Sequence, residues 1–236
     1  MKVLVMPGHD FGPTYQDLAE QGVCRLWELG ARRWAVQAVM PSARAPAWYL
    51  NFTAIGYQRI ARIAALTDRR YRLIESVGGE GSVECIVTDY ELEPLSSYPF
   101  VARAAAIRRV CEALSPRPVS HYGLGTERYS VADIGRLVES CGFSAMAMSA
   151  YPKSHRANQP PDLTMDLLLC KGAKIEPLPY VYGLNERGEY ASSHLPDLLK
   201  WCADNGATRC IAWCTLADPA SVESVARVID AAGGVE

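Results

Sequence analysis

The chain has no uninterrupted apolar run approaching the ~20 residues that a membrane-spanning helix needs. Its formal net charge is −2, so no excess of positive charge points to nucleic acid or to a membrane surface. The apolar start Met1–Val5 is too short for a signal peptide, and Pro7 and Gly8 interrupt it at once. These absences predict a cytoplasmic protein with neither a nucleic-acid nor a membrane partner, and they leave the oligomeric state open.

Several sequence signatures of enzymes are also missing. The chain has no Gly-x-Ser-x-Gly of a serine hydrolase, no His-x-His or His-Glu-x-x-His of a metal site, and no Cys-x-x-Cys among its eight cysteines. The segment Pro7–Pro13 is not a Gly-x-Gly-x-x-Gly phosphate loop and lacks the lysine of a P-loop. The sequence therefore disfavours a nucleotide-binding open sheet and implies no cofactor. The cysteines, mostly inside apolar runs, are expected to be reduced and buried.

Strand-like and helix-like segments alternate along the whole chain. Seven short apolar runs predict parallel strands buried on both faces: Lys2–Met6, Trp34–Met40, Val83–Tyr90, Pro118–Tyr122, Phe143–Ser149, Ile175–Tyr182 and Arg209–Thr215. Between them, Ser130 with Asp133 resembles a helix-capping box, and Gly142 would close that helix. The chain has 236 residues, 49% of them apolar, and no linker divides it. We therefore expect a single α/β barrel domain over residues 1–236.

The number of strands depends on the segment Tyr71–Val77. It is a candidate eighth strand, but only about five residues separate it from the next strand, and a parallel crossover needs a dozen or more. The spacing of Ile60, Ile63 and Ile74 instead favours one long helix over about Thr53–Val77. We therefore expect a TIM-like barrel of seven parallel strands, with eight as the alternative.

In a βα barrel the active site lies at the C-terminal ends of the strands. Acids, aromatic residues and histidines gather at these predicted ends: His9, Asp10, Asp89, Glu91, Glu93, His121, Tyr122, Tyr151, Tyr180, Tyr182 and Trp213. Aromatic rings stack on the apolar faces of sugar rings, and carboxyl groups transfer protons. The combination predicts a carbohydrate as the binding partner.

The third predicted strand carries the most informative acids. Asp89, Glu91 and Glu93 alternate along the chain, so they share one side as long as the strand continues. Neighbouring carboxylates resist joint ionisation, which raises the pKa of at least one of them. A raised pKa suits a general acid at neutral pH. The competing interpretation, strongest for Glu93, is that these acids are solvated loop residues.

Two segments resemble known families of carbohydrate-active enzymes. The segment Val87–Glu91 resembles the Asp-x-Glu strand of hyaluronidases, chitinases and phage-type lysozymes. The segment Gly206–Leu216 resembles the last barrel strand of hyaluronidases and chitinases, in which a tryptophan, here Trp213, forms the floor of the sugar subsite. The chain departs from the chitinase pattern at Ile86 and Val87, where that family has further aspartates. The hyaluronidase barrel also has seven strands.

This resemblance implies a retaining glycoside hydrolase that degrades a polysaccharide containing N-acetylhexosamine with assistance from the substrate. Glu91 would protonate the leaving oxygen, and Asp89 would orient the 2-acetamido group that attacks the anomeric carbon. Tyr151 or Tyr182 would hydrogen-bond the acetamido carbonyl, and Trp213 would stack under the sugar ring. The remaining substrate-binding candidates are Tyr122, Asp10 and Glu93.

Two other functions compete with this one. A metal-dependent hydrolase or polysaccharide deacetylase would use His9, Asp10 and His121 as ligands. The segment His9–Gly12 is faintly similar to the first-strand motif of those deacetylases, which also have seven-unit barrels, but their paired-histidine motif is missing. A barrel without catalysis would bind a carbohydrate or serve as a structural module.

Overall fold

The computed structural model describes residues 1–8, 16–38, 57–89, 100–122, 130–150, 163–182 and 195–233. Strands and helices alternate through these ranges. The strands are β1 (Lys2–Pro7), β2 (Trp34–Gln37), β3 (Val83–Asp89), β4 (Val119–Tyr122), β5 (Ala145–Ser149), β6 (Glu176–Tyr182) and β7 (Arg209–Cys214). The helices are α1 (Gln16–Glu28), α2 (Tyr57–Gly78), α3 (Phe100–Leu114), α4 (Val131–Cys141), α5 (Thr164–Ala173), α6 (Leu195–Asp204) and α7 (Pro219–Gly233).

The seven strands form one closed, parallel barrel in which each strand pairs with its neighbours in chain order. The closing pair joins β1 to β7, from Lys2 beside Arg209 to Pro7 beside Cys214. The segment Tyr71–Val77 lies inside α2, so the described part of the chain contains no eighth strand. The predicted TIM-like α/β barrel is therefore confirmed, with seven strands rather than eight.

Alternate residues of the strands face the barrel axis and form an inner core. It consists of Leu4, Met6, Ala35, Cys85, Val87, Ala145, Ala147, Leu178, Tyr180 and Ile211, with Trp213 packed against it. The residues on β2, β3 and β5 are mostly small, whereas those on β1, β6 and β7 are large. Small side chains on one wall leave room for large ones on the other, which lets a narrow barrel fill its interior without voids.

The intervening strand residues face outward and pack beneath the helices. Trp34, Val36 and Ile86 belong to this outer core, together with residues of the helices such as Val110 and Leu137. Most of the strands are thus apolar on both faces, which explains why they read as continuous apolar runs, and β4, with Ser120 and His121, is the exception.

The boundaries of α4 follow the predicted capping signals. The Ser130 hydroxyl accepts a hydrogen bond from the Asp133 backbone N–H at 3.1 Å, and the Asp133 carboxylate accepts one from the Ser130 backbone N–H at 3.1 Å. Gly142 ends the helix in the left-handed conformation, at a φ of 67°. This geometry satisfies backbone groups that both helix ends would otherwise leave without partners.

A network of charged side chains covers the N-terminal end of the barrel. The Arg209 guanidinium lies 2.6 Å from the Glu176 carboxylate and 3.5 Å from that of Glu84, which also pairs with Arg33. Burial alone would raise the pKa of Glu176, but hydrogen bonds from Arg209 and Thr208 outweigh burial and lower that pKa below its ordinary value. Residues at this end of a βα barrel serve stability, whereas the chemistry belongs at the opposite end.

All eight cysteines are free thiols. Cys24 is exposed, so the expectation of burial is wrong for this residue, and Cys141 is partly exposed. Burial raises the pKa of Cys214, at the end of β7, to about 12, which leaves it unsuited to act as a nucleophile at neutral pH. Among the described helices, none combines the length and apolar character that crossing a membrane requires.

Candidate active site

The strand ends place several of the predicted site residues at the C-terminal end of the barrel. Asp89 is the last residue of β3 and Tyr122 the last of β4, and their Cα atoms are register partners. Tyr182 ends β6 and is the register partner of Trp213 on β7. The predicted residues thus lie at the ends of two pairs of neighbouring strands, β3 with β4 and β6 with β7.

Three aromatic rings form a cluster at this end, which we call the aromatic platform: Tyr180, Tyr182 and Trp213. The ring centroids of Tyr182 and Trp213 are 4.6 Å apart with an interplanar angle of 31°, and those of Tyr180 and Trp213 are 6.3 Å apart at 34°. These separations are typical of attractive tilted ring pairs. Tyr180 is buried, whereas Tyr182 and Trp213 are partly exposed, so the platform joins the inner core to the barrel mouth.

The indole of Trp213 packs directly on the backbone at the end of β1. A Cβ atom added to Gly8 would lie 2.9 Å from Cζ2 of Trp213 and 3.0 Å from the carbonyl oxygen of Cys214. The Gly8 N–H also donates a hydrogen bond of 2.7 Å to that carbonyl. Only glycine permits this approach. In the sequence alone Gly8 only interrupts an apolar run, and nothing there indicates its contact with Trp213.

The ring of Tyr182 is tied to the start of α7 through Ser221. The Ser221 hydroxyl donates to the Tyr182 oxygen at 3.3 Å and accepts from the Thr215 backbone N–H at 2.9 Å. Ser221 is fully buried, so this link holds one edge of the aromatic platform in place. Ser221 was not among the predicted site residues, and its one signal in the sequence is its position in the first turn of the helix that follows β7.

The Trp213 indole also presents an unsatisfied donor. Its Nε1 atom is buried and has no hydrogen-bond partner among the residues that the structure describes. Leaving a buried donor without a partner costs about 1–3 kcal/mol. An acceptor on a bound molecule that reached this N–H would recover that cost, so the platform combines an apolar face with a hydrogen-bond donor.

The predicted acids are only partly within the described chain. Cys85 and Val87 of β3 face the barrel interior, and Asp89 is the next position of the same alternating series. Glu91 and Glu93 lie outside the described residues. The same is true of the other predicted site residues His9, Asp10 and Tyr151. Their roles stay predictions.

His121 does not lie where the metal-site hypothesis requires it. Its neighbour Ser120 hydrogen-bonds the interior residue Cys85, so His121, one residue further along β4, faces the opposite side. There its ring stacks on Phe143 at 5.1 Å, and its Nδ1 atom is 2.8 Å from the Thr88 hydroxyl. The expectation that His121 reaches the barrel mouth is therefore wrong.

Burial of His121 lowers its pKa to about 3, so the imidazole is neutral in the folded protein at ordinary pH. Its surroundings are those of a histidine packed in the outer core. Within the described ranges, no group of three histidine, cysteine or acidic side chains is arranged to hold a metal ion.

Comparison with known proteins identifies the fold. No protein-family model matches the chain, and no curated protein matches its sequence. A GH18 chitinase from Pseudoalteromonas aurantia is similar in structure, with a TM-score of 0.54 and 13% sequence identity over 98% of this chain and 100% of the chitinase chain. An N-acetylneuraminate lyase from Mycoplasma synoviae has a TM-score of 0.50 and 12% identity over 96% of this chain and 70% of the lyase. At such identities the likeness shows a shared α/β barrel fold.

Proposed function

We propose that the protein is a glycoside hydrolase that cleaves a polysaccharide containing N-acetylhexosamine. The observation that carries the proposal is the aromatic platform at the C-terminal end of the barrel. A sugar needs a flat apolar surface together with hydrogen-bonding groups, and Trp213 supplies an indole face and an unsatisfied buried N–H.

The strand order supports a site that spans the mouth. β7 and β3 are separated by β1 and β2 on one side and by β4, β5 and β6 on the other, so they lie across the barrel from each other. Trp213 on β7 therefore stands opposite Asp89 at the end of β3. In the proposed site, a sugar stacked on the platform extends across the mouth toward the strand that ends at Asp89 and precedes Glu91.

In the proposed mechanism the substrate supplies its own nucleophile. Glu91 donates a proton to the leaving glycosidic oxygen while the 2-acetamido oxygen attacks the anomeric carbon. Asp89 orients the acetamido N–H and stabilises the positive charge that forms on the ring intermediate. Tyr151 or Tyr182 hydrogen-bonds the acetamido carbonyl. Water then opens the intermediate, and the anomeric configuration is retained.

The competing functions make different demands on the same barrel. The metal-dependent hydrolase loses one of its three proposed ligands, since the side chain of His121 lies in the outer core. A carbohydrate-binding barrel without catalysis uses the same aromatic platform and differs from the hydrolase only in the absence of turnover. The glycoside hydrolase is the function that uses both the platform and the acids that follow β3.

The experiment is a turnover assay on a panel of soluble polymers. The chitinase with the same fold acts, by its name, on chitin, so N-acetylglucosamine oligomers come first, followed by hyaluronan and peptidoglycan fragments. Products are identified by mass spectrometry, and the anomer formed first is assigned by proton NMR. Turnover with retention, unchanged by a chelator, supports the proposal. Turnover that the chelator abolishes favours a metal-dependent hydrolase. Binding without turnover across the panel favours a binding barrel and overturns the hydrolase.

A further inference from the structure

Two cysteines meet on neighbouring helices, away from the barrel mouth. Cys111 lies in the last turns of α3 and is buried, and Cys141 is the last residue of α4 and is partly exposed. The two helices pack side by side on the outside of the barrel, and the two thiols are close enough to interact directly. The pair therefore joins a buried sulfur to one that small molecules in solvent can reach.

The surroundings of Cys141 favour its thiolate. The hydrogen bond from Cys111 is the largest influence and lowers the pKa of Cys141 to about 7, despite partial burial. The Ser140 hydroxyl, 3.6 Å from the Cys141 sulfur, and the positive charge of Arg108 act in the same direction, and Glu112 opposes them. The same hydrogen bond and burial raise the pKa of Cys111. Cys141 is thus the nucleophile of the pair and Cys111 its proton donor.

The other buried cysteines do not combine a neighbouring thiol with a sulfur that solvent can reach and whose pKa is lowered. Burial raises the pKa of Cys85 to about 11 and the pKa of four others to about 12. Those four are Cys170, Cys202, Cys210 and Cys214. A buried thiol with a raised pKa reacts slowly with oxidants, because the thiolate is the reactive form. Cys24 on α1 is exposed and provides a natural comparison.

We propose that Cys111 and Cys141 form an oxidation site at which a hydroperoxide converts the two thiols into a disulfide joining α3 to α4. In the first step the Cys141 thiolate attacks the terminal oxygen of the hydroperoxide. The O–O bond breaks, an alcohol or water leaves after taking a proton, and Cys141 becomes a sulfenic acid. In the second step the sulfur of Cys111 attacks the Cys141 sulfur and gives its proton to the departing oxygen, which leaves as water. Two thiols are oxidised and one hydroperoxide is reduced.

The disulfide would connect two consecutive βα units of the barrel. It closes a loop from residue 111 to residue 141, which restricts the unfolded chain and stabilises the folded one. The α3 helix follows directly on the segment that contains Glu91 and Glu93, so the cross-link also fixes the helix beyond that segment. The oxidation site does not depend on the proposed glycosidase activity.

Peptide mapping of the full chain tests the proposal. The reduced protein is treated with hydrogen peroxide, denatured in the presence of an alkylating agent, digested without reductant and analysed by mass spectrometry. We expect one cross-linked peptide pair containing Cys111 and Cys141, a fall of two in the number of titratable thiols from the initial eight, and full reversal by dithiothreitol. We also expect the thermal unfolding midpoint to rise on oxidation. A cross-link between any other two cysteines instead, or an unchanged Cys111–Cys141 pair, overturns the proposal.

Single substitutions separate the two steps. Cys141→Ser removes the attacking sulfur, so peroxide should no longer oxidise Cys111. Cys111→Ser removes the second thiol, so Cys141 should accumulate as a sulfenic acid that dimedone traps. Cys24→Ser is the control and should leave the cross-link unchanged. If Cys111→Ser fails to fold, the peptide map of the unsubstituted chain and the Cys141→Ser variant still test whether the disulfide forms. Oxidation of Cys111 in the Cys141→Ser variant at the original rate contradicts the assigned order.

Discussion

The indole of Trp213 rests on the backbone of Gly8, where an added Cβ atom would lie 2.9 Å from indole carbon Cζ2. This contact joins the first strand to the last and fixes the height of the aromatic platform in the barrel mouth. The neighbouring atom on the other side is the Cys214 carbonyl oxygen, which is backbone and cannot swing away. The indole must therefore move if the position gains a methyl group.

Gly8→Ala should consequently disturb the platform. We expect a loss of stability of about 1–3 kcal/mol, as for other overpacked sites, and a weaker affinity for sugar oligomers, because Trp213 is displaced. Urea unfolding measures the stability, and titration of the tryptophan fluorescence with sugar oligomers measures the affinity. Gly135→Ala is the matched control, since a Cβ there meets nothing within 4 Å and the residue lies inside α4, where alanine is favoured. Equal behaviour of the two variants would contradict the close contact.

His121 gives the stability of the protein a specific dependence on pH. The folded state keeps the imidazole neutral, with a pKa of about 3, whereas the unfolded chain takes up the proton near the ordinary value of 6.5. Below about pH 6.5 the unfolded state binds more protons, so the stability that this histidine contributes is lost as the pH falls. Between about pH 7.5 and pH 5 the loss should amount to about 2 kcal/mol.

The His121→Asn variant isolates this contribution. It keeps a polar atom near the Thr88 hydroxyl but removes the titrating ring, so its free energy of unfolding should fall less steeply with acid than that of the unsubstituted chain. Urea titrations at several pH values provide the measurement. The variant should be less stable at neutral pH, because it loses the stacking on Phe143. The protonation of His121 is therefore measured by the difference between the two slopes of unfolding free energy against pH. Parallel slopes would show that His121 is not buried in the neutral form.

Arg209 stabilises the N-terminal end of the barrel. Arg209→Met keeps most of the side-chain volume and leaves the carboxylates of Glu84 and Glu176, both largely buried, without their shared cation. We expect a loss of about 1–3 kcal/mol, because Glu176 then carries a partly buried charge without a cation, whereas Glu84 keeps its pair with Arg33. The turnover per folded molecule should stay unchanged, since this network lies at the end opposite the platform.

Lys200→Met is the control for Arg209→Met. Lys200 pairs with Asp204 on the surface at 3.4 Å, and the lysine side chain is 69% exposed. Exposed ion pairs contribute at most about 1 kcal/mol, so this variant should unfold almost like the parent. A similar effect of the two substitutions in urea titrations would mean that the Arg209 network is effectively solvated.

The barrel was predictable from the sequence because most of its strands are apolar on both faces. Trp34, Val36 and Ile86 belong to the outer core and Ala35, Cys85 and Val87 to the inner one, so β2 and β3 carry apolar residues on both faces. The segment Tyr71–Val77 was resolved by a length argument, since too few residues remained for a crossover. Local pattern and chain length together were sufficient for the fold.

The site was less predictable, because a local sequence pattern shows neither which way a strand side chain points nor which distant residues it contacts. Ser120, His121 and Tyr122 are all polar, and a strand without alternation does not reveal which of its residues point inward, so His121 was misplaced. Gly8 contacts Trp213 only when β7 closes on β1. Ser221 contacts Tyr182 only when α7 packs on the barrel. Such contacts depend on tertiary structure.

The proposed role of Glu91 as proton donor leads to the prediction that tests the proposed mechanism most directly. Glu91→Gln keeps the shape of the side chain and removes the acid, and general acid catalysis contributes about 10²- to 10⁴-fold in rate. We expect kcat on the natural polymer to fall by at least that factor while the fold survives. An activated aryl glycoside, whose leaving group needs little protonation, should lose much less activity. Comparing kcat on the two substrates measures the effect.

Glu93→Gln provides the control, since Glu93 is two residues further along the chain and has the same chemistry without the assigned role. It should change kcat little on either substrate, whereas a general electrostatic effect of acids at the mouth would appear in both variants. Loss of activity on the polymer and the aryl glycoside to the same extent would indicate a positioning role for Glu91 rather than proton donation. Near-full turnover of Glu91→Gln on the natural polymer would rule out Glu91 as the acid and make His9 and Asp10, which follow β1, the next residues to substitute.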